Sequence, residues 1–253
     1  MSVATALGRV AATRYATALR EGGSLPGLVE ADDDGLYVVK FTGAGQGPAA
    51  LVSEVVVGEL ARALGLLVPE LVVVEVDPAL VRAEPDPEIR ELVQASAGPN
   101  LGVDFLPGAL PFSAASGALP DPELAADVVW LDALTANVDR TPRNPNLLLW
   151  HDRMWLIDHG AALYLQHGAD ALAPLARRAF PQIGDHVLLP YAGSIAEADE
   201  RLAPRVGQAL LEDVARLVPE AWASDSSPAD YLARRLQAPR GFVEEAERAR
   251  ARL

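Results

Sequence analysis

The opening third of the chain alternates apolar and polar positions in short runs, which predicts β-structure. Two runs lie around Arg14–Arg20 and Leu25–Ala31, with Gly22, Gly23 and Gly27 punctuating their connection. An acidic turn at Asp32–Gly35 leads into the apolar run Leu36-Tyr37-Val38-Val39-Lys40-Phe41. Alanine- and leucine-rich spacing from about Pro48 to Leu64 predicts a helix, which Gly65 stops. Leu71–Val76 is a continuous apolar run of strand length, and Leu101–Leu106 is a further strand that closes at Pro107-Gly108. Three strands, a helix and two more strands predict a small, mostly antiparallel sheet carrying one helix.

Past Pro107 the pattern changes. Gly, Pro, Ser and Ala fill residues 107–120, marking a boundary between residues 1–108 and 109–253. Asp121–Asn137 reads as an amphipathic helix, with Leu124, Val128, Leu131 and Leu134 at helical spacing. Two short strands, Asn146–Trp150 and Met154–Ile157, flank a His151-Asp152-Arg153 turn. From Ala161 to Leu253 the signal is helical and broken by prolines, and the Arg/Glu-rich tail from Val243 reads as a solvated helix face.

Composition narrows the function classes. A formal charge of −14 argues against electrostatic binding to nucleic acid or to an anionic membrane. The absence of cysteine removes disulfides and thiolate metal sites and suits a reducing cytoplasm. Met1–Ala16 lacks the apolar core of a signal peptide, and Leu64–Val76 is too short and too interrupted to span a bilayer. The expectation is a soluble cytoplasmic protein.

Lys40 is the only lysine among 21 basic residues. A chain that writes its other cations as arginine has a use for lysine where a compact point charge is needed, as on a phosphate. The segment 137–160, NVDRTPRNPNLLLWHDRMWLIDHG, carries an Asp, an Asn five residues on, an apolar strand, a tight turn, a second strand and then Asp-His-Gly. Phosphoryl transfer needs these groups: one carboxylate to orient and deprotonate a hydroxyl, and a second with an amide to hold Mg²⁺ against phosphates. Among the four histidines there is no short pairing of metal-ligand spacing.

The order and spacing resemble protein kinases, and the details are similar to one branch. The Asp139-Arg140 head of the loop, the Leu156-Ile157-Asp158-His159-Gly160 run and the Ser53-Glu54, Leu60-Ala61, Gly65 helix pattern resemble the HipA-like kinases. The resemblance implies an α+β, two-lobed kinase-like fold, with a small antiparallel β-rich N-terminal lobe and a mostly helical C-terminal lobe. It implies that Lys40 meets the α- and β-phosphates of ATP and pairs with Glu54, that Asp139 is the catalytic base, and that Asp158 binds Mg²⁺. Asn144 has the kinase spacing for the second metal ligand, whereas Asn146 has the position directly before the strand. Arg140 and Arg143 either contact the transferring phosphoryl group or tie the loop down. Gly22, Gly23 and Ser24 would cover the phosphates, with Ser24 a candidate for self-modification. Adenine would lie against the connector at Val103–Leu106, beside Asp104 and Phe105. The acceptor implied is a hydroxyl, on a protein Ser or Thr or on a small molecule. Two other classes stay open: a kinase-fold protein that binds nucleotide or a partner without transfer, and a nucleotidyl transferase.

Overall fold

The protein is represented by a computed structural model, which describes residues 5–19, 25–45, 47–82, 84–117, 119–163, 176–223 and 227–253. Its first strands, β1 (Gly8–Ala18), β2 (Gly27–Ala31), β3 (Leu36–Lys40), β4 (Leu71–Val76) and β5 (Gly98–Asp104), form a closed barrel in the order β1-β2-β3-β5-β4. The pairings are mostly antiparallel, as expected, but the sheet closes into a barrel through one parallel seam. Gly8–Ala11 of β1 pairs in parallel with β4, and from Ala12 onward the same strand pairs antiparallel with β2. Register shifts between Ala12 and Arg14 and between Tyr15 and Thr17 bend the strand, as β-bulges do, so that one strand supplies both seams.

Alternation along the strands separates two environments. Val29, Ala31, Tyr37, Val39, Val72, Val74 and Val76 fill the barrel, whereas Leu71 and Val73 face outward into a second cluster. Burial on both faces explains the continuous apolar run Leu71–Val74 of β4, which Glu75, bonded to Arg9, then interrupts. The interior leaves no room at Gly102, where a Cβ would lie 2.5 Å from Val74 Cγ2.

Helix α1 (Gly47–Leu64) packs against the outward face of β4, and most of its circumference is buried. It ends at Gly65, in the left-handed region at φ +93°, and Arg62 donates to the Val68 and Pro69 carbonyls at 2.9 and 3.0 Å. An unexpected helix, α2 (Pro87–Ala95), sends Ile89 and Val93 into the barrel cluster. Its start carries a capping signal, since Asp86 accepts from Glu88 N at 3.0 Å ahead of Pro87.

Downstream, β6 (Leu110–Pro111), β7 (Leu147–Trp150) and β8 (Arg153–Leu156) form a small sheet in sequence order. Helix α3 (Pro122–Thr135) is buried on nearly every side instead of being amphipathic. It is the central helix of the largest apolar cluster, where α4 (Ile195–Leu202), α6 (Pro228–Arg235) and α7 (Gly241–Arg250) pack around it. Trp130 of α3 donates to Asp199 Oδ1 at 2.8 Å. Phe242, Val243, Ala246 and Ala249 of α7 are buried too, so the tail is a packed helix with one solvated face. Helix α5 (Gln208–Arg216) leans on α1, and beyond it Leu217 and Trp222 join Leu51 and Val55 of α1 in one cluster. Among the described residues no helix is long and apolar enough to cross a membrane.

Candidate active site

Lys40 ends β3 on the face opposite the inward Val39, so its side chain leaves the barrel toward α1. There its ammonium bonds Glu54 Oε1 and, at 2.8 Å, Asp158 Oδ1. Glu54 Oε2 accepts from His159 N at 2.8 Å, and neighbouring Ser53 Oγ donates to Ala162 O at 2.8 Å. Two adjacent helix residues thus hold the segment that follows Asp158. Gly160 gives this contact room, since a Cβ there would sit 3.0 Å from Glu54 Oε1 and crowd it.

One ammonium faces two carboxylates. Burial alone would pull Lys40 down, but the charges and hydrogen bonds of Glu54 and Asp158 hold its pKa above the ordinary value. Burial, opposed by Lys40 and reinforced by Asp158, pushes Glu54 up. Burial also works to raise Asp158, yet the charge and hydrogen bond of Lys40 hold it below the ordinary carboxylate range. Asp158 is also the open member, with 43% of its side chain exposed against 2% for Glu54. A carboxylate that is ionised, accessible and only partly neutralised is suited to a divalent cation.

The loop after α3 presents Asp139. Its Oδ2 accepts from Asn144 Nδ2 at 2.8 Å and from Asn146 Nδ2 at 3.4 Å, and Asn137 Oδ1 takes its backbone N–H at 3.2 Å. These donors fix the carboxylate and leave Oδ1 to face a substrate proton. The amide oxygens of Asn144 and Asn146 find no donor among the described residues, so either is free to act as a hard ligand. Asn146 and Asp158 both adopt left-handed backbone, at φ 49° and 55°, a conformation that Asn and Asp tolerate best after glycine. Among the described residues no group of three or more His, Cys, Asp or Glu side chains is clustered for a metal. Mg²⁺ suits the present donors all the same, because it commonly takes one or two carboxylates and completes its shell with phosphate and water.

Arg140 is not at the mouth of this site. It is 1% exposed. Its Nε meets Asp132 Oδ2 at 2.5 Å, one terminal nitrogen bonds the Asn146 carbonyl and, at 3.3 Å, the Ile157 carbonyl, and the other faces His159 Nδ1 at 3.3 Å. Asp132 also accepts from Asn137 Nδ2 at 3.0 Å and meets His186 Nε2 at 2.9 Å. Burial favours protonating Asp132, but the Arg140 charge and the bonds from His186 and Arg140 keep it well below its usual range. His186 Nδ1 accepts from Leu188 N at 3.1 Å, so its proton sits on Nε2, toward Asp132. Burial and the Arg140 charge pull His159 down to about 3, so it is a neutral imidazole.

Of the expected site residues, the fold brings Lys40, Glu54 and Asp158 together and groups Asp139 with Asn144 and Asn146. A phosphoryl contact for Arg140 is ruled out by its burial. Arg143 stands exposed on the turn closed by the Thr141–Asn144 bridge. Asp104 and Phe105 lie at and just past the end of β5, where Phe105 N donates to Leu36 O at 2.9 Å, and burial and the charges of Glu70 and Asp33 raise the Asp104 pKa. Gly22, Gly23 and Ser24 lie outside the described residues. Sequence reasoning passed over Asp132 and His186. The available signal for Asp132 was a lone carboxylate in the otherwise apolar run Val128–Leu134.

The family model for HipA-like kinases matches residues 14–238, well over half of the chain. A crystal structure of the Helicobacter pylori proinflammatory kinase CtkA is similar in fold, with a TM-score of 0.54 at 15% identity over 95% of this chain and 98% of that one. No curated protein matches.

Proposed function

The chain belongs to the HipA-like kinase family, and on that premise we propose that it transfers the γ-phosphate of ATP, with Mg²⁺, to a hydroxyl acceptor. The observation that carries the reading is the meeting of Lys40, Glu54 and Asp158 from three distant segments, with Asp139 held on the neighbouring loop. In this reading residues 1–108 and 109–253 are the two lobes of a kinase, and the nucleotide lies between them with its adenine near Asp104 and Phe105.

Lys40 compensates charge on the α- and β-phosphates, and Glu54 keeps the ammonium in place. Asp139, with one oxygen fixed by asparagine amides, accepts the proton of the acceptor hydroxyl as that oxygen bonds to the γ-phosphorus and the bridging P–O bond to ADP breaks. Asp158 and an amide oxygen of the Asn144–Asn146 pair would hold Mg²⁺, which supplies charge neutralisation at the phosphates. The acceptor class, a protein Ser or Thr or a small-molecule hydroxyl, comes from the family alone. The reading also sets the protein in the cytoplasm, with ATP and the acceptor as its partners and with neither nucleic acid nor membrane among them.

The test compares ATP labelled at the γ-phosphate with ATP labelled at the α-phosphate, incubated with the purified protein and candidate acceptors. Transfer of the γ label, dependent on Mg²⁺, is the expected result. Transfer of the α label would make the protein a nucleotidyl transferase, and binding without either transfer would make it a binding protein.

A further inference from the structure

We propose that Arg140 is a positioning residue that sets the metal-binding carboxylate Asp158 from both sides, and that His159 is the acceptor this role requires. The proposal rests on the phosphotransfer reading above. Arg140 touches no substrate, being 1% exposed, yet its fork grips the Ile157 carbonyl and the His159 ring. Those two residues flank Asp158. The same guanidinium holds the Asn146 carbonyl, so both left-handed residues that would face the metal are pinned by one cation. A single left-handed residue is sparsely populated and keeps its geometry only where neighbours over-determine it. Asp132 supplies the fixed end, from the most deeply buried helix of the protein, and His186 and Asn137 steady it there.

This arrangement also gives a reason for histidine at the place where many kinases carry phenylalanine. Arg140 needs an acceptor there, in a position 1% exposed. A benzyl side chain would leave that buried guanidinium N–H without an acceptor. His159 meets the need with Nδ1 turned toward Arg140, where it accepts when the proton is on Nε2, a buried nitrogen that itself has no partner among the described residues. Groups one shell out from a metal ligand commonly change metal affinity by roughly ten- to a hundredfold when removed.

Calorimetry of a non-hydrolysable ATP analogue, with and without Mg²⁺, tests the idea on the full chain. The variants are Arg140→Lys, His159→Phe, His159→Asn and the double Arg140→Lys/His159→Phe. In Arg140→Lys and His159→Phe the enhancement of analogue affinity by Mg²⁺ should fall by about tenfold or more, with metal-free affinity unchanged. His159→Asn, whose amide oxygen stands where Nδ1 was, should recover most of it. The double variant should be no worse than the poorer single, because Arg140→Lys already removes the contact that His159→Phe breaks. A purely structural role would lower the melting temperature and both affinities together. An unchanged Mg²⁺ enhancement in folded His159→Phe, or losses that multiply in the double variant, overturns the proposal. Should Arg140→Lys fail to fold, the contrast between His159→Phe and His159→Asn decides alone. A wild-type protein that shows no Mg²⁺ enhancement sinks the phosphotransfer reading itself, a result distinct from any of these.

Discussion

The Lys40 ammonium lies 2.8 Å from Asp158 Oδ1, a partner 118 residues downstream, while the same nitrogen bonds Glu54 on α1. A strand end, a helix and a hairpin exit therefore share one charge. The point geometry of an ammonium is what permits this, since its three donors radiate from a single atom.

Replacing Lys40 by Arg keeps the charge and lengthens and flattens the donor group. The planar fork spreads its donors over separate nitrogens, so it cannot set one atom against both Glu54 and Asp158 as the ammonium does. Steady-state kinetics of Lys40→Arg should show kcat/KM for ATP down by roughly a hundredfold, about 2.7 kcal/mol of lost transition-state stabilisation. Wild-type turnover in this variant would show that the lone lysine is incidental.

Asp139→Asn separates chemistry from binding. Two asparagine amides hold Oδ2, and neither Lys40 nor Asp158 touches Asp139, so the nucleotide groups are left intact. Transfer should drop by about two to four orders of magnitude, with ATP affinity within about twofold of wild type. Equal losses in turnover and in calorimetric affinity would mark Asp139 as a structural residue.

What was legible in the chain and what was not divide along the range of the interactions. Leu71–Val76 was read at its true limits because burial on both faces leaves all but Glu75 apolar. The Asp139-to-Gly160 segment was legible because its turn and strands are local, and the hairpin β7–β8 closes within it. Barrel closure was not, since the parallel pairing of Gly8–Ala11 with Val72–Glu75 joins segments some sixty residues apart and β1 there offers mainly small residues. For Arg140 the sequence left two roles open, a phosphoryl contact or tying the loop down, and could not choose between them. Nothing in its neighbours along the chain announces burial, and only the convergence of Asp132, Ile157 and His159 in space assigns its donors. Helix α2 was missed despite its Asp86-Pro87 start, because its short apolar stripe, Ile89 and Val93, reads weakly alone.

Trp222 offers a test of how α1 is held. Its indole N–H donates to Pro99 O at 3.1 Å, and its ring shares a cluster with Leu51 and Val55, the residues that bracket Glu54 on the helix. Trp222→Ala should destabilise the protein by about 3–5 kcal/mol in denaturant unfolding. Trp222→Phe keeps most of the apolar contact and loses one hydrogen bond, so about 1 kcal/mol is expected. A Trp222→Ala loss below about 1 kcal/mol would mean that this end of the chain does not brace the helix.

The buried histidine His186 sets an expected pH dependence of stability. Burial, opposed by the Asp132 bond and charge and aided by the Arg140 charge, lowers its pKa from the ordinary 6.5. The folded protein keeps the ring neutral while the unfolded chain binds a proton below pH 6.5, so unfolding takes up a proton and stability falls as the solution is acidified through that range. Neutral His159 acts in the same direction, Glu54, whose pKa is raised, acts in the opposite one, and Asp132 enters only at lower pH. His186→Gln keeps an amide donor for Asp132 and removes the titration. The difference in unfolding free energy between wild type and this variant should therefore shrink from pH 7.5 to pH 5, with a slope of at most about 1.4 kcal/mol per pH unit, the limit for one proton. Parallel stability curves for the two proteins across that range would show that the fold does not shift the titration of His186.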